Sequence, residues 1–433
     1  MLKLCAISDL HLGEPSSVLH HDLVKPEGMP GKTALVDGMV KACGQERKIE
    51  TLIFLGDTFD LCLSTEKEVI EQFPPLLDMI LNRIGVKNIV VTFGNHDHAR
   101  WTRVCEDLDL APYTFPSSRR HLLYKQGEPN SNVGGVLNLM LSTKDKINRR
   151  IKGKLSDYKT NIILAYPHFL ISYRSGGVKR NFLFHHGQYV KKIIVGKMSP
   201  FTSKKKIDNV RTRHQHAFEM SNKPWEAESF EDLERRTSKM IDSLWPETAK
   251  VTGWRDKFWH LCHEVEGMFK WGDKEQPLPQ DFIPEFNSIP DWDLNRKVIK
   301  MPGKLMTSDG HSLPKSISIP DKFPQKIFNV FFRCMEKENT DFFNSGNRLT
   351  PVFIFGDTHN GGYRKHSYKN NQTSVSAEIE TYNTGAWVNH YQNHYPETLM
   401  FCLTDESPLE PKIFGVKIPE EAANRAAEEY GEH

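Results

Sequence analysis

The sequence has no long apolar run, no CxxC pair and no excess of one charge sign. No apolar stretch approaches the ~20 residues that a helix needs to cross a bilayer, and the N-terminus lacks the features of a signal peptide. The seven cysteines are odd in number and scattered, which is typical of reduced structural thiols. We therefore predict a cytoplasmic protein without a transmembrane segment, with peripheral attachment to a membrane left open.

The charges are nearly balanced, with 57 basic and 55 acidic residues and a net charge of +2. Such a chain has no global cationic field that would favour nucleic acid or an anionic membrane as its partner, so any such binding would need a local patch. At 433 residues it exceeds a typical single domain, which predicts two domains or one core with a large insertion. The composition gives no prediction of oligomeric state.

Five short β-rich runs each deliver polar residues at their carboxyl ends. They span residues 2–8, 51–55, 88–93, 180–185 and 351–355. Helix-like segments at 33–48 and 66–84 give the early part a βαβα rhythm. Loops at the carboxyl ends of neighbouring strands converge, and open α/β sheets bind ligands there.

The remaining pattern predicts a second group of strands and an insertion. A strand at 161–173 and the strand at 180–185 flank Gly176 and Gly177, which indicates a hairpin. Further strands are expected at 374–381, 398–404 and 412–418, and helices at 230–244, 255–269 and 324–337. We predict an α/β fold with two mixed β-sheets in a sandwich flanked by helices, and a large, mostly helical insertion.

The predicted boundaries follow from that pattern. Residues 1–190 and 346–418 form the two parts of a core, 191–345 form the insertion or cap, and 419–433 form a C-terminal tail or docking helix.

Five polar blocks at strand ends carry the chemistry. They are Asp9-Leu10-His11, Gly56-Asp57-Thr58-Phe59-Asp60, Gly94-Asn95-His96-Asp97, His185-His186-Gly187 and Gly356-Asp357-Thr358-His359. A carboxylate and an imidazole two residues apart at a strand end point to one side and can bind one divalent ion. A single block of this kind occurs often by chance, but five in one order at strand ends do not.

The order and content of these blocks resemble the calcineurin-like metallophosphoesterase superfamily, whose pattern is DxH, GD, GNH[DE], a lone H and GHxH. The resemblance covers residues 1 to about 190 and about 350 to 418. It implies two divalent metal ions and seven ligands. Asp9, His11 and His359 would hold one ion, Asp57 would bridge, and Asn95, His186 and Asp357 would hold the other.

The resemblance also implies the catalytic groups. His96 would contact the phosphoryl group and help the leaving oxygen depart, and Asp60 would orient His96. Arg100 and His98 follow closely in the chain and are candidate substrate-binding residues; an arginine there would suit a phosphate as a bidentate donor.

The last block departs from the family, because Asp357 stands where a histidine is usual. An aspartate can still ligate, but its charge weakens the pull of the metals on phosphate. The donor set suits manganese first, with iron, zinc or magnesium as alternatives. The other hypothesis is a second metal site that is weak or rebuilt from His185 or His168; strand alternation points His185 away from His186.

Residues Asn383-Thr384-Gly385-Ala386-Trp387 resemble an NTGxW segment of the UDP-2,3-diacylglucosamine diphosphatase branch. That likeness is partial, since the branch commonly has arginine at the position of His96 and lacks so long an insertion.

The sequence thus predicts a metal-dependent phosphoesterase that hydrolyses a phosphodiester, pyrophosphate or phosphomonoester in a small nucleotide-like or lipid-linked substrate. A nuclease acting on DNA or RNA is the alternative, and the near-neutral charge argues against it. A third hypothesis from another class is a non-catalytic scaffold with the same fold. Six of the seven ligands are of the expected type, which favours catalysis.

Overall fold

The fold is described from a computed structural model. It describes residues 1–14, 17–20, 29–61, 64, 66–98, 100–101, 120–124, 146–189, 226–230, 232–233, 306–307, 325–338, 342–343, 349–357, 361–370, 375–388 and 398–431. The predicted ligand His359 lies outside these residues. So do most of the predicted insertion, most of the expected helix at 230–244 and all of that at 255–269.

Thirteen strands and five α-helices are described. The strands are β1 (Leu2–Ile7), β2 (Lys48–Leu55), β3 (Gly85–Thr92), β4 (Arg120–Tyr124), β5 (Asn161–Tyr166), β6 (His168–Ser175), β7 (Val178–His185), β8 (Met306–Thr307), β9 (Val352–Phe355), β10 (Gly362–Lys369), β11 (Ser376–Asn383), β12 (Leu399–Thr404) and β13 (Lys412–Gly415). The helices are α1 (Pro30–Cys43), α2 (Glu66–Arg83), α3 (Lys146–Asp157), α4 (Gln325–Glu338) and α5 (Glu420–Gly431).

The strands form two mixed sheets. The first has the order β4-β5-β3-β2-β1-β12-β13-β8 and the second the order β10-β11-β9-β7-β6. In the first sheet β1, β2, β3 and β5 run parallel to one another, while β12 pairs antiparallel with β1. In the second, β7, β9 and β11 are parallel, and β6 and β10 close the edges antiparallel. The predicted α/β class, with two mixed sheets flanked by helices, is confirmed.

Strand alternation builds three hydrophobic layers. In β9, Val352 and Ile354 point between the two sheets, whereas Phe353 and Phe355 point to the outer face of the second sheet. Because successive side chains alternate, every central strand that is apolar on both faces serves two layers. The outer face of the first sheet packs against α1 and α2, and that of the second against α4.

Most predicted elements are confirmed, with one correction. The run at 161–173 was expected to be one strand, but it is two, β5 in the first sheet and β6 in the second. Pro167 lies between them, and proline cannot donate a hydrogen bond to a ladder, so the chain changes sheets there. The hairpin between β6 and β7 is confirmed, with Gly176 and Gly177 at φ of +56° and +79°.

The C-terminal segment forms a helix that packs against the protein, and the described cysteines are buried. Helix α5 packs into the hydrophobic layer on the outer face of the first sheet through Ala422 and Ala426, which are fully buried. Cys5, Cys43, Cys334 and Cys402, the cysteines within the described ranges, are buried free thiols. Among the described helices, none combines the length and apolarity required to cross a bilayer.

The topology brings five strand ends to one edge of the sandwich. Strands β1, β2 and β3 are parallel neighbours, and so are β7 and β9. The polar blocks predicted from the sequence follow the carboxyl ends of these five strands. The backbone joins them there, since Asp9 N donates to Gly56 O at 3.1 Å and Gly356 N donates to His186 O at 2.7 Å.

The outer layer of the second sheet generates a stability prediction. Phe331 of α4 is fully buried and its ring contacts those of His185 and Phe353. We expect Phe331→Ala to lower the free energy of unfolding by about 3–5 kcal/mol because it leaves a cavity. Leu349→Ala, at a leucine that is 43% exposed, should change it by less than ~0.5 kcal/mol. Denaturant unfolding measures both, and equal effects would contradict this packing.

Candidate metal centre

Four of the predicted ligands adopt a left-handed backbone conformation. The φ angles are +52° at Asp9, +46° at His11, +46° at Asp57 and +65° at Asp357. A non-glycine residue in this region costs about 1–3 kcal/mol, and such residues cluster at functional sites. Each turns the chain sharply at the end of β1, β2 or β9, so that the carboxylate or imidazole faces the shared edge.

Two glycines make room for the side chains that meet there. A Cβ on Gly56 would lie 2.5 Å from the ring of His186, and a Cβ on Gly94 would strike both Oδ1 of Asp57 and that same ring. Only glycine allows the side chains to pass so close to these backbones. The glycine that begins each of these two blocks is therefore part of the site.

The third such glycine, Gly356, lies against Ser8 and Asp9. A Cβ at this position would overlap Oδ2 of Asp9 and Oγ of Ser8. Since the backbone is bare, the next amide, Asp357 N, donates to Oδ1 and Oδ2 of Asp9 at 3.0 and 3.2 Å. The last block thus contacts the first across 348 residues of sequence.

His186 and Asp57 form the centre of the site. Nε2 of His186 lies 3.0 Å from Oδ2 of Asp57, 3.9 Å from Oδ1 of Asp9 and 3.9 Å from Oδ1 of Asp357. Its Nδ1 donates to Leu55 O at 3.1 Å, which assigns the proton to Nδ1 and leaves Nε2 facing the carboxylates. All four side chains are buried.

His11 approaches Asp57 from the other side. Nε2 of His11 lies 3.9 Å from Oδ2 of Asp57, and Nδ1 is held by Asp60 at 2.9 Å and by Glu14 at 3.2 Å. The same Asp60 oxygen lies 2.9 Å from Nδ1 of His96. Asp60 therefore orients two imidazoles, the predicted ligand His11 and the predicted catalytic His96.

The charges of these groups reinforce one another. Burial acts to lower the pKa of His186, but Asp57 and Asp9 outweigh it and raise that pKa to about 10. Burial acts to raise the pKa of Asp57, yet the imidazoles of His186 and His96 hold it below its usual range. The carboxylates concentrate negative charge in the site and favour the protonated imidazoles. The same negative charge would favour a bound cation in their place.

The donor set fits divalent metal ions. Ligand atoms of Asp9, Asp57 and His186 lie within 4.8 Å of one another, and so do those of His11, Asp60 and His96. The first set matches the predicted ligands. In the second set, Nδ1 of His11 and Nδ1 of His96 donate to Asp60. The other ring nitrogen of His11, Nε2, therefore faces Asp57 and is the atom that could bind a metal ion.

The alternative ligands for the second metal have another role. His185 points away from His186, as strand alternation requires, and its ring lies 5.0 Å from Phe331 and 4.7 Å from Tyr189. Its Nδ1 accepts the amide of Gly187 at 2.9 Å. His168 lies opposite it on β6 and its ring contacts Phe230. Both lie in the outer core, whereas Asp357 lies beside His186.

The two candidate substrate-binding residues differ in placement. His98 is 2% exposed and its ring contacts Tyr166 at 5.2 Å, so a substrate phosphate would not reach it in this conformation. Arg100 is partly exposed. The hypothesis of a phosphate contact therefore rests on Arg100 alone.

Sequence reasoning missed Asp97 as a positioning residue. Its carboxylate accepts the amides of Gly94 at 2.6 Å and Thr58 at 2.9 Å, and thereby ties the loop after β2 to the loop after β3. Burial and the nearby charge of Asp57 raise the pKa of Asp97 to about 7. The signal was present in the GNHD block, where this aspartate follows His96. Glu14 was also missed; it lies beyond the first block and is fully buried.

The crowding at Gly94 generates a prediction. Gly94→Ala should weaken Mn²⁺ binding at least ~10-fold, because the added methyl group would displace Asp57 and His186. Gly153→Ala is the matched control, since a Cβ there meets nothing within 4 Å and alanine favours a helix. Calorimetric titration of metal-free protein gives both affinities, with circular dichroism to check folding. Wild-type affinity in folded Gly94→Ala would refute this geometry.

Three comparisons relate the chain to known proteins, and one of them, the match to a family model, covers part of this site. Residues 2–196 match the calcineurin-like phosphoesterase family, and no curated protein matches the chain. A dimetal phosphatase from Danio rerio is similar at 11% identity and a TM-score of 0.28, over 96% of this chain and 98% of that one. A 5'-nucleotidase precursor from Thermus thermophilus is similar at 10% identity and a TM-score of 0.28, over 100% of this chain and 58% of that one.

At that identity and TM-score the two solved structures bear neither on the architecture nor on the substrate. The family match covers the first four blocks, and the fold adds Asp357 from beyond it. The comparisons thus identify a calcineurin-like phosphoesterase domain over residues 2–196.

Proposed function

We propose that the chain hydrolyses a phosphoric ester or anhydride bond in a small nucleotide-like or lipid-linked substrate. Two divalent metal ions would bind at the edge of the sandwich where β1, β2, β3, β7 and β9 end. The observation that carries this proposal is the position of Asp57. Its Oδ2 faces Nε2 of His186 at 3.0 Å and Nε2 of His11 at 3.9 Å. One carboxylate between imidazoles from both sheets is the arrangement expected of a ligand shared by two ions.

The proposed ligands divide into two groups around Asp57. Asp9, His11 and His359 would hold one ion, and Asn95, His186 and Asp357 the other. Carboxylate, amide and imidazole donors together suit manganese, with iron, zinc or magnesium as alternatives. When bound, the ions would supply Lewis acidity toward the phosphoryl oxygens and the attacking water.

His96 is the proposed general acid. Its Nδ1 is fixed by Asp60 at 2.9 Å, and the side chain keeps 20% exposure, so the ring can meet a substrate. Burial acts to lower the pKa of His96, but the charges of Asp60 and Asp57 raise it. In the reaction a water oxygen bonds to phosphorus and loses one proton to solvent, the bond to the leaving oxygen breaks, and His96 gives its proton to that oxygen. His96 then regains a proton from solvent, so that the net reaction consumes one water.

Two further proposals concern the rest of the chain. Residues 1–190 and 346–418 would form one catalytic core, because strands from both ranges share each sheet, with 191–345 as an insertion and 419–433 as the tail. The buried free thiols support a cytoplasmic location. The balanced charge supports a small substrate over nucleic acid.

A hydrolysis panel tests the function. Purified protein with Mn²⁺ should cleave at least one of p-nitrophenyl phosphate, its diester, a UDP-sugar, a cyclic nucleotide and single-stranded DNA. Asp57→Asn should abolish turnover and leave the fold intact, because an amide cannot replace the shared anionic ligand. Asp78→Asn is the matched control, since Asp78 pairs with Arg150 on the helical layer.

The outcomes of the panel are distinct. Preferred cleavage of single-stranded DNA, with binding that falls steeply as salt rises, would indicate the nuclease. No cleavage, together with fewer than one bound metal ion per chain, would indicate the scaffold. Turnover retained in Asp57→Asn would refute the shared-ligand assignment.

The general acid has its own test. His96→Asn should lower kcat about 10²- to 10⁴-fold for a phenyl or alkyl ester, whose leaving oxygen needs a proton. The loss should be much smaller for a p-nitrophenyl ester of the same kind, because p-nitrophenolate leaves without one. Equal losses on both esters, with metal content unchanged, would mean that His96 does not protonate the leaving oxygen.

A further inference from the structure

Residues 383–387, here called the NTGAW segment, join the two halves of the metal centre. The segment begins at the end of β11 and lies beside both Asp9 and Gly356. Asn383 donates from Nδ2 to Gly356 O at 3.2 Å, and its Oδ1 accepts the amide of Gly385 at 2.7 Å. At its other end, Trp387 N donates to Asp9 O at 3.0 Å.

A chain of hydroxyl groups extends from the segment to a ligand carboxylate. Oγ1 of Thr384 lies 2.5 Å from Oγ of Ser8, and Oγ of Ser8 donates to Oδ2 of Asp9. Each hydroxyl has one proton. Because Ser8 uses its proton in the hydrogen bond to Asp9, Thr384 is the donor in the short contact with Ser8. All three side chains are buried.

We propose that the NTGAW segment is a positioning element of the metal centre, in which Thr384 acts through Ser8 to fix the carboxylate of Asp9. Asn383 fixes the opposite partner, Gly356, whose neighbour Asp357 donates its amide to that same carboxylate. This inference rests on the proposed function, since it assigns a role toward the proposed metal ions.

The energetic reason is preorganisation. Asp9 lies near two other carboxylates, and without a cation their mutual repulsion would favour rotamers that turn it away. Hydrogen bonds from Ser8 and from the amide of Asp357 hold its oxygens in place in a buried site. Loss of such outer partners typically costs 10–100-fold in metal affinity.

Neighbouring threonines show the difference between this contact and ordinary structure. On β11, three residues before Thr384, the hydroxyl of Thr381 donates to Arg364 O at 2.9 Å. It is equally buried and satisfies a backbone carbonyl of the neighbouring strand. Thr381 is therefore a matched control for the loss of a buried threonine hydroxyl without loss of contact to a ligand.

The test compares Mn²⁺ binding by metal-free full-length protein. Thr384→Val, which keeps the shape of the side chain and removes its hydroxyl, should weaken binding at one site about 10-fold. Thr384→Ser retains the hydroxyl and should stay within about 3-fold of wild type. Thr381→Val should bind as wild type does, although both valine variants lose stability to a similar extent.

The titration separates this inference from the proposed function. The wild-type protein is expected to bind two Mn²⁺ ions. If it does, and Thr384→Val binds them with the same affinity, the inference is overturned and the proposed function still stands. Metal binding without hydrolysis would instead count against the function. If Thr384→Val does not fold, Ser8→Ala tests the same link, and wild-type affinity in Ser8→Ala would equally overturn the inference.

Discussion

The carboxylate of Asp57 lies between side chains from both sheets of this protein, and the metal centre depends on its contacts with them. Oδ2 faces an imidazole from each sheet, and Oδ1 accepts the amide of His96 at 2.8 Å. Three groups, which follow strands β1, β3 and β7, therefore contact one side chain, which itself follows β2. Three buried carboxylates, those of Asp9, Asp57 and Asp357, lie within 3.9 Å of Nε2 of His186 and repel one another. Positive charge among them is needed to offset that repulsion.

The fold sustains that arrangement at a cost in backbone and packing freedom. Four turns with positive φ and three glycines with no space for a Cβ lie at one edge. Such features are destabilising in themselves. They persist because three hydrophobic layers hold the strands in register on both faces of both sheets. Stability is thus concentrated away from the edge and function at it.

The sequence allowed the main architecture to be predicted, because the polar blocks follow apolar runs. Strand ends in a parallel sheet converge, which predicts that Asp9, Asp57 and Asn95 reach one edge. Their roles as ligands are what the resemblance to the calcineurin-like family implies. The split of the run at 161–173 was missed because apolar alternation continues across Pro167 into a second sheet. Strand β10 was missed too, since its sequence is mostly polar.

The outer contacts of the site were beyond sequence reasoning for a different reason. Ser8 and Thr384 are 376 residues apart, and nothing local to either indicates the other. Asp60 was expected to orient His96, but its second contact, with His11, depends on the relative placement of two loops. Local patterns identify which side chains reach an edge, whereas tertiary packing decides which of them touch.

A crystal structure of the protein grown with Mn²⁺ tests the central claim most directly. Anomalous scattering should give two peaks about 3.5–4 Å apart. Asp57 should contact both, with Asp9 and His11 at one ion and His186 and Asp357 at the other. A single peak, or a second ion that Asp357 does not contact, would contradict the account.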